Sequence, residues 1–342
     1  MNDPVMRDRG SEIARFLARH GLAAAARAPL AGDASARRYE RLTKPDGTTV
    51  ILVDTPAPAE DLVPFIAIGD ALAAIGLSVP AIHQADIGLG LALQDDFGNE
   101  TFSRLLVGGG DPAGLYELAT DALIALHRRW PAGEAERLAL PVYDAGLFAQ
   151  QVMLFADAYC PMALGKPLLE KDRSEFATIW RSVVGPACAG PQSLLLRDYH
   201  VDNVMRLPRD GVRAAGLIDF QNAGHGPVAY DLASLLEDAR RDVAAGLAAA
   251  MVDRYLAAFP ALDPLQFRRS MAVLGAVRHT RIIAIFVHLA LQGRRAYLAH
   301  LPRVWRLLEG QLAKPELAPV AGWFDRHLPR EARAALVVPE TN

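Results

Sequence analysis

Cysteine is scarce in this chain of 342 residues, which contains only Cys160 and Cys188. Neither has a second cysteine or a histidine at the spacing of zinc ligands, so no zinc site is indicated. The first ten residues lack the apolar core of a signal peptide. The most apolar later stretch, residues 282–291, is too short to span a bilayer. We therefore expect a soluble, cytoplasmic protein without a membrane partner.

The chain also lacks a surplus of positive charge. Its 36 Lys and Arg residues stand against 39 Asp and Glu, which gives a net charge of −3. Because neutralising nucleic-acid phosphates requires a basic surface, nucleic acid is not an expected partner. A local basic pocket for one nucleotide remains compatible with this balance. The length favours two domains or a two-lobed fold.

The hydrophobic pattern changes near residue 94, and this change predicts an α+β fold. The elements predicted before it are helices over residues 11–28 and 65–75, a hairpin turning at Asp46-Gly47, and strands within residues 79–93. Those predicted after it are helices over residues 115–129, 143–159, 171–184, 230–247, 248–259 and 264–291, with short strands at 193–196 and 214–218. We expect a small β-rich nucleotide-binding lobe, residues 1–94, and a larger, mostly helical catalytic lobe, residues 95–342.

Two segments, each at the end of one of the short strands, are the candidates for carrying the chemistry. Residues 196–203 read Leu-Arg-Asp-Tyr-His-Val-Asp-Asn, and residues 218–220 read Ile-Asp-Phe. This order and spacing of Asp198, Asn203 and Asp219 is typical of phosphoryl-transfer enzymes of the kinase type. Asp198 would act as the base, and the oxygens of Asn203 and Asp219 would bind Mg²⁺. Taken singly, each residue could equally be a turn-forming residue of a surface loop.

Two neighbouring residues have more than one interpretation. His200 either fixes the turn by a hydrogen bond or transfers a proton, and we favour the structural role. Asp231 either caps a helix or binds the backbone of the catalytic loop.

The motifs together resemble the aminoglycoside phosphotransferase family. The resemblance rests on residues 197–203 and 218–221, and on Gly-Pro at 226–227 followed by Tyr-Asp-Leu-Ala-Ser-Leu-Leu at 230–236. A narrower similarity, to bacterial kinases of N-acetylmuramate and N-acetylglucosamine, rests on residues 32–39 and 297–304. The family has a two-lobed, protein-kinase-like fold and uses ATP with Mg²⁺. Such a protein is expected to be a monomer.

The resemblance assigns roles to single positions. It makes Asp198 the catalytic base, with Asn203 and Asp219 as magnesium ligands. It places the adenine near the backbone of Leu93 and Gln94. Residues 32–39 would form the turn over the phosphates, although a single glycine makes a weak phosphate loop. The residues expected to support the catalytic loop are Arg197, His200 and Asp231.

The strand over residues 49–54 departs from the family, because it contains neither Lys nor Arg. Kinases place a lysine there to hold the α- and β-phosphates. Arg37 and Arg38 on the preceding turn are our candidates for the missing cation, and the alternative is that both are solvated charges on a hairpin. Two smaller departures are Leu196, where relatives have His, and Asn222, where many have Asp.

The acceptor site has the weakest signal in the sequence. Tyr159 and His225 are the candidates for lining it, although a single tyrosine more often belongs to the core. The first functional hypothesis is an ATP-dependent kinase of the anomeric hydroxyl of N-acetylmuramate or N-acetylglucosamine, active in peptidoglycan recycling. The second is the same fold acting on an aminoglycoside, choline-like or homoserine-like acceptor. The third is an inactive kinase-like binding protein.

Overall fold

The computed structural model describes residues 4–30, 37–55 and 62–334. They form two compact units, one of residues 1–110 and 202–222, the other of residues 111–201 and 223–342. The first unit thus extends past residue 94. It also includes residues 202–222, the segment that contains Asn203 and Asp219. The predicted division of the chain at residue 94 into two functional lobes stays a prediction.

The described residues contain nine strands and fourteen α-helices. The strands are β1 (Ala26–Pro29), β2 (Arg38–Thr43), β3 (Thr49–Asp54), β4 (Ile82–Asp86), β5 (Leu91–Gln94), β6 (Gln192–Leu195), β7 (Val204–Arg206), β8 (Ala215–Leu217) and β9 (Gly224–Pro227). The helices are α1 (Pro4–Arg19), α2 (Leu62–Ala74), α3 (Phe102–Val107), α4 (Pro112–Arg129), α5 (Glu134–Arg137), α6 (Ala145–Leu154), α7 (Cys160–Leu164), α8 (Glu170–Cys188), α9 (Ala229–Leu236), α10 (Ala245–Ala258), α11 (Pro264–Leu291), α12 (Leu301–Leu312), α13 (Ala318–His327) and α14 (Arg330–Ala334).

The first unit is organised by a five-stranded antiparallel sheet in the order β1-β2-β3-β5-β4. The predicted hairpin at Asp46-Gly47 is confirmed, because β2 and β3 pair in register from Arg38 opposite Asp54 to Thr43 opposite Thr49. Phe16 and Leu17 of α1 pack with four buried leucines and with Val50 of the sheet. Burying each large apolar side chain contributes about 1.5–3 kcal/mol, so this contact fixes α1 to the sheet.

The predicted helix over residues 11–28 is wrong at both ends. The helix already begins at Pro4, and it ends at Arg19 because Gly21 adopts a left-handed φ of 72°. The N–H of Leu22 bonds to the carbonyl of Leu17 at 2.8 Å, a closure typical of a helix that stops at glycine. The chain thereby becomes free to form β1, which pairs with β2.

The second unit is helical apart from the β6–β9 pair. The predicted helix over residues 264–291 is confirmed as α11. Among the described residues, α11 alone is long and apolar enough to cross a membrane, but 83% of its most apolar window is buried inside the protein. It is a core helix, as its apolar pattern predicts. The helices predicted over residues 115–129, 143–159 and 171–184 are also present with shifted ends, the second continuing as a π-helical turn, Phe155–Tyr159.

The predicted continuous helix over residues 230–247 is wrong, because α9 stops at Leu236. Glu237 leaves the helical conformation, and its carboxylate contacts His279 of α11 at 2.6 Å and Gln311 of α12 at 2.6 Å. Asp238 then accepts the N–H of Arg240 at 2.7 Å. Tertiary hydrogen bonds therefore overrule the helical pattern of this segment.

Acidification should destabilise the protein through histidines whose pKa is lowered by burial. His127, with a pKa of about 3, is one, and His200 and His279 are two more. Burial lowers the pKa of His200 and His279 below the ordinary 6.5, outweighing Asp238 near His200 and Glu237 at His279, which act in the opposite direction.

Below pH 6.5 the unfolded chain takes up protons that the folded protein refuses. The contribution of each histidine to the free energy of unfolding should fall with pH by up to about 1.4 kcal/mol per pH unit, while Asp231, whose pKa burial raises to about 7, acts in the opposite direction.

Urea denaturation at pH 7.5, 6.5 and 5.5 measures this effect. His279→Gln should make the pH dependence of the histidine contribution shallower, because one of the protons taken up on unfolding is lost. His288→Gln is the matched control, since His288 is exposed on the same helix, and it should leave the slope unchanged. An equal slope in all three proteins would contradict the interpretation.

Candidate active site

Asp198 lies in a turn at the end of β6 that the carboxylate of Asp231 holds. Asp231 accepts hydrogen bonds from the backbone N–H groups of Leu196 at 2.6 Å and Arg197 at 2.8 Å. Arg197 has a left-handed φ of 71°. For a residue other than glycine this conformation costs of order 1–3 kcal/mol and persists only where its surroundings impose it. The two bonds to Asp231 supply that constraint immediately before Asp198.

Asp231 is itself in an unusual electrostatic position. Its side chain is buried, and burial raises its pKa to about 7, although the two backbone donors act in the opposite direction. Ionised, both of its oxygens can accept an N–H, whereas a protonated carboxyl group loses one of these acceptors. The turn is therefore held best when Asp231 carries its charge.

The residues that follow Asp198 anchor the turn on its other side. The hydroxyl group of Tyr199 donates to the carbonyl of Ala119 in α4 at 2.7 Å, and both Tyr199 and His200 are buried. Burial and the positive charges of Arg278 and Arg240 lower the pKa of His200, so its ring is neutral near pH 7. Asp198 itself is half-buried. The arrangement thus presents one acidic side chain between buried neighbours.

Asn203 and Asp219, the predicted metal ligands, lie together in the first unit. The chain leaves β8 at Ile218, whose N–H bonds to the carbonyl of Asn203 at 3.1 Å. The Nδ2 atom of Asn203 lies 3.4 Å from Oδ2 of Asp219, and Nε2 of Gln221 donates to Oδ1 of Asp219 at 2.7 Å. Asp219 also has a left-handed φ, 61°. A second strained turn therefore positions the second acidic residue.

The donor chemistry of this pair fits Mg²⁺. A carboxylate and a side-chain amide both offer oxygen, the ligand that this hard cation prefers. Asn203 and Asp219 are half-buried, so solvent and a phosphate can reach them. Gln221 restrains the Asp219 carboxylate, which limits its choice of rotamers. The assignment of the two residues as metal ligands stays a prediction.

Arg37 lies on the Asp219 side of the first unit. It is 5% exposed, and its guanidinium carbon lies 4.8 Å from the ring centroid of Phe65 in α2. Phe65 stacks on Phe220, the residue after Asp219, at 5.1 Å between centroids. Burial raises the pKa of Tyr39. The positive charge of Arg37 lowers this pKa and the negative charge of Asp219 raises it, so both charges act on the same phenol.

Arg38 points elsewhere, as the alternation of side chains along a strand requires. Its Nε atom lies 3.4 Å from the carboxylate of Asp54, which also binds Arg9 at 2.6 Å. Arg38 is exposed and engaged in this ion pair. Of the two candidate cations, only Arg37 lies on the side of Asp219. Residues 32–36, the rest of the predicted phosphate turn, lie outside the described residues.

The lysines of the chain are poor alternatives to Arg37 for the role of a phosphate-binding cation. The chain has four lysines, at positions 44, 166, 171 and 314. Only Lys44 belongs to the first unit, and it lies in the tight turn of the β2–β3 hairpin. A cation for the nucleotide phosphates within the described part of that unit must therefore be an arginine.

The predicted adenine segment ends β5, which is an interior strand. Leu93 pairs with Leu52 on one side and Gln84 on the other, and both Leu93 and Gln94 are buried. Just beyond, Asp96 binds Arg41 at 2.5 Å. Burial alone would raise the pKa of Asp96, but the hydrogen bonds from Arg41 and the Gly98 N–H lower it. The adenine contact at Leu93 and Gln94 stays a prediction.

The structure does not support Tyr159 as a residue of the sugar site. Its side chain is fully buried, its ring stacks on Phe155, and its hydroxyl group donates to the carbonyl of Arg333. Tyr159 is a core residue. Its burial results from the packing of helices, which a single aromatic residue in the sequence does not predict. His225 is half-buried in β9, with its backbone bonded to Pro141 and Tyr143, and its role stays a prediction.

Several residues of the site escaped sequence reasoning. Gln221 and Tyr39 surround Asp219, and Phe65 connects Phe220 to Arg37. Gln221 could have been found, because it follows Asp219 by two residues in the motif. Phe65 could not, because it lies on a helix far away in sequence.

The chain is similar to known proteins along most of its length. The family model described as "Phosphotransferase enzyme family" matches residues 26–265. The N-acetylmuramate/N-acetylglucosamine kinase of Caulobacter vibrioides is 34% identical, over 95% of this chain and 98% of its own length. The protein of the same name from Pseudomonas aeruginosa is also 34% identical, over 90% of this chain and 89% of its own.

Solved structures show the fold. The GDP complex of an aminoglycoside 2'-phosphotransferase-IIIa mutant matches with a TM-score of 0.62 at 15% identity, over 91% of this chain and 99% of that one. A choline/ethanolamine kinase family protein from Mesorhizobium loti matches with a TM-score of 0.58 at 15% identity, over 90% and 98%. The predicted α+β, protein-kinase-like fold class is confirmed. By the extent of the family match and of both curated relatives, the chain belongs to the phosphotransferase enzyme family.

Proposed function

We propose that the protein transfers the γ-phosphoryl group of ATP to the anomeric hydroxyl of N-acetylmuramate, N-acetylglucosamine or both. The observation that carries the proposal is the Asp198 turn held by Asp231, together with relatives of that name along almost the whole chain. A strained turn fixed by a buried carboxylate costs free energy, and such strain is typically found where the side chain at the turn has a function.

Asp198 would orient the attacking hydroxyl group and accept its proton. An anomeric hydroxyl is more acidic than an ordinary alcohol, so a carboxylate is an adequate base for it. The half-buried side chain of Asp198 lies at the surface of its unit, where a sugar can reach it. Phosphoryl transfer requires positioning and charge stabilisation more than covalent chemistry by the protein.

Asn203 and Asp219 would hold Mg²⁺, which neutralises the charge on the β- and γ-phosphates when bound. Gln221 keeps the Asp219 carboxylate in place by its 2.7 Å hydrogen bond. Arg37 would replace the strand lysine of other kinases as the cation at the phosphates. The product, a sugar 1-phosphate, suits recovery of peptidoglycan precursors in the cytoplasm.

Removing the base tests the reaction directly. Asp198→Ala should lower kcat about 100- to 10,000-fold, the usual range for losing a positioned general base, with the KM for ATP little changed. The measurement is ADP release with N-acetylmuramate and with N-acetylglucosamine. Asp210→Asn serves as the control, because Asp210 is exposed and makes no cap hydrogen bond.

The product identifies the acceptor atom. Phosphorylation at the anomeric position abolishes the reducing end of the sugar, so the reducing-sugar signal should fall in step with ADP release. ADP release with an unchanged reducing end would mean another hydroxyl is phosphorylated. Turnover only with kanamycin, choline or homoserine would replace the sugar, and tight binding without any turnover would favour a kinase-like binding protein.

Arg37→Gln should raise the KM for ATP about 10- to 100-fold, because a charge-assisted contact to phosphate is lost. The KM for the sugar should stay unchanged. Arg38→Gln is the matched control one residue away, and it should change the KM for ATP less than threefold. Equal effects of the two substitutions would refute the assignment of Arg37, provided that thermal unfolding shows both proteins folded.

Asp231→Ala should loosen the catalytic turn. Two buried N–H groups lose their acceptor, which costs about 1–3 kcal/mol each in stability, and kcat should fall at least tenfold because Asp198 is no longer fixed. Asp144→Ala offers a comparison in the same unit, since Asp144 caps α6 through one bond to the N–H of Leu147. That variant should lose about 1 kcal/mol of stability with kcat unchanged. An unaffected kcat in Asp231→Ala would contradict the role of Asp231.

A further inference from the structure

Gln94, the last residue of β5, has a buried side-chain amide. The residue is 7% exposed, and its Oε1 atom has no hydrogen-bond partner among the residues that the structure describes. A buried polar atom has given up its hydrogen bonds to water, so leaving it unbonded destabilises the folded chain. An amide in this state is explained by a ligand that donates a hydrogen bond to it.

The side chain of Gln94 lies on the face of the sheet opposite α1. Leu91 and Leu93 of the same strand pack in the cluster that contains α1, and side chains alternate between the two faces along a strand. Gln94 pairs with Ile51 of β3 and Ile82 of β4, and directly paired residues share a face. The amide is therefore turned away from α1.

The face that carries Gln94 is also the face of the proposed phosphate contacts within the first unit. Ile82 lines a cavity together with Phe65 and Phe220. Phe220 directly follows a proposed metal ligand in sequence, and the guanidinium carbon of Arg37 lies 4.8 Å from the ring centroid of Phe65. A nucleotide on this face would have its phosphates near Arg37 and its base near the end of β5.

Two aspartates fix the chain directly after Gln94. The N–H of Asp95 donates to the carbonyl of Ala81 at 3.0 Å, and the N–H of Ala81 donates to the carboxylate of Asp95 at 3.2 Å. The carboxylate of Asp96 accepts two hydrogen bonds from Arg41, at 2.5 and 2.9 Å. The end of β5 is thereby held from two sides before a ligand arrives, which lowers the entropic cost of binding.

Adenine supplies the hydrogen-bond donor that the Oε1 atom lacks. The amino group on C6 of adenine has two N–H bonds, so a backbone carbonyl can accept one and the side-chain oxygen of Gln94 the other. A site built to bond a polar group discriminates against ligands without that group, because its own polar atom then stays unpaired. The amide is therefore suited to recognising the base.

We propose that the side-chain amide of Gln94 accepts a hydrogen bond from the amino group on C6 of adenine and thereby selects the base of the nucleotide. The inference rests on the proposed function, because it concerns the ATP of the same reaction. It assigns a specificity role to the side chain, in addition to the contact expected at the backbone of Leu93 and Gln94.

The hydrogen bond can be removed from either partner. With the unchanged protein, the KM for purine riboside triphosphate, which has hydrogen in place of the amino group, should exceed the KM for ATP about three- to tenfold, the loss expected for one neutral hydrogen bond. Gln94→Met should raise the KM for ATP by the same factor. It should leave the KM for purine riboside triphosphate within about twofold, because that nucleotide has no bond to lose.

Gln84→Met is the matched control, since Gln84 is an exposed glutamine of β4 that lies opposite Leu93 in the same sheet. This variant should keep the full preference for ATP over purine riboside triphosphate. A preference that survives in Gln94→Met would overturn the proposal, whether the two KM values rise together or do not change.

The stability of the protein without nucleotide distinguishes a ligand contact from a structural one. Methionine is close to glutamine in length and has no amide to desolvate, so its burial at this position should cost less than that of an unbonded amide. The urea midpoint of Gln94→Met should therefore equal or exceed that of the unchanged protein. A lower midpoint in both Gln94→Met and Gln94→Leu would assign the amide to the fold and overturn the proposal.

Calorimetric titration with ADP and with purine riboside diphosphate, without sugar, separates this inference from the proposed function. Tighter binding of ADP by the unchanged protein, lost in Gln94→Met, supports the base contact even if no sugar is phosphorylated. Equal affinity of the unchanged protein for the two diphosphates overturns the base contact even if the sugar kinase activity is established.

Discussion

The hydrogen bonds from two backbone N–H groups to Asp231 are the constraint on which the position of Asp198 depends. They hold Arg197 in a left-handed conformation, and Asp198 follows directly. The carboxylate bears the cost of burial to do this, as its raised pKa shows. A residue in the first turn of α9 thereby holds the turn at the end of β6. This explains why Asp231 lies inside α9 and not at its cap.

Strain of the same kind appears at the other acidic residue. Asp219 has a φ of 61°, and aspartate tolerates this region better than most side chains do. The left-handed φ values of Arg197 and Asp219, which are usual for glycine, turn the chain sharply after β6 and after β8. Each strained residue is therefore either an acidic residue of the candidate site, Asp219, or the residue directly before one, Asp198.

The features that the sequence predicts well depend on residues that lie close together in the chain. The order of Asp198, Asn203 and Asp219, the Asp46-Gly47 hairpin and the core helix α11 are local patterns, and the fold class followed from them. Predictions failed where distant contacts decide: Glu237 ends α9 through α11 and α12, and Tyr159 is taken into the core. The end of α1 is the exception, because it depends on a local signal: Gly21, with its preference for a left-handed φ, follows the last helical residue by two positions.

The absence of lysine from β3 bears on the proposed role of Arg37 as the cation at the phosphates. A lysine on β3 would reach the phosphates from within the sheet, whereas Arg37 precedes β2 and lies against Phe65 and Phe220. The aromatic contact offsets part of the cost of burying the guanidinium group. It also makes the position of Arg37 depend on Phe220, and hence on the turn at Asp219. Arg37 and Asp219 are therefore coupled through packing, a dependence that a lysine on β3 would not have.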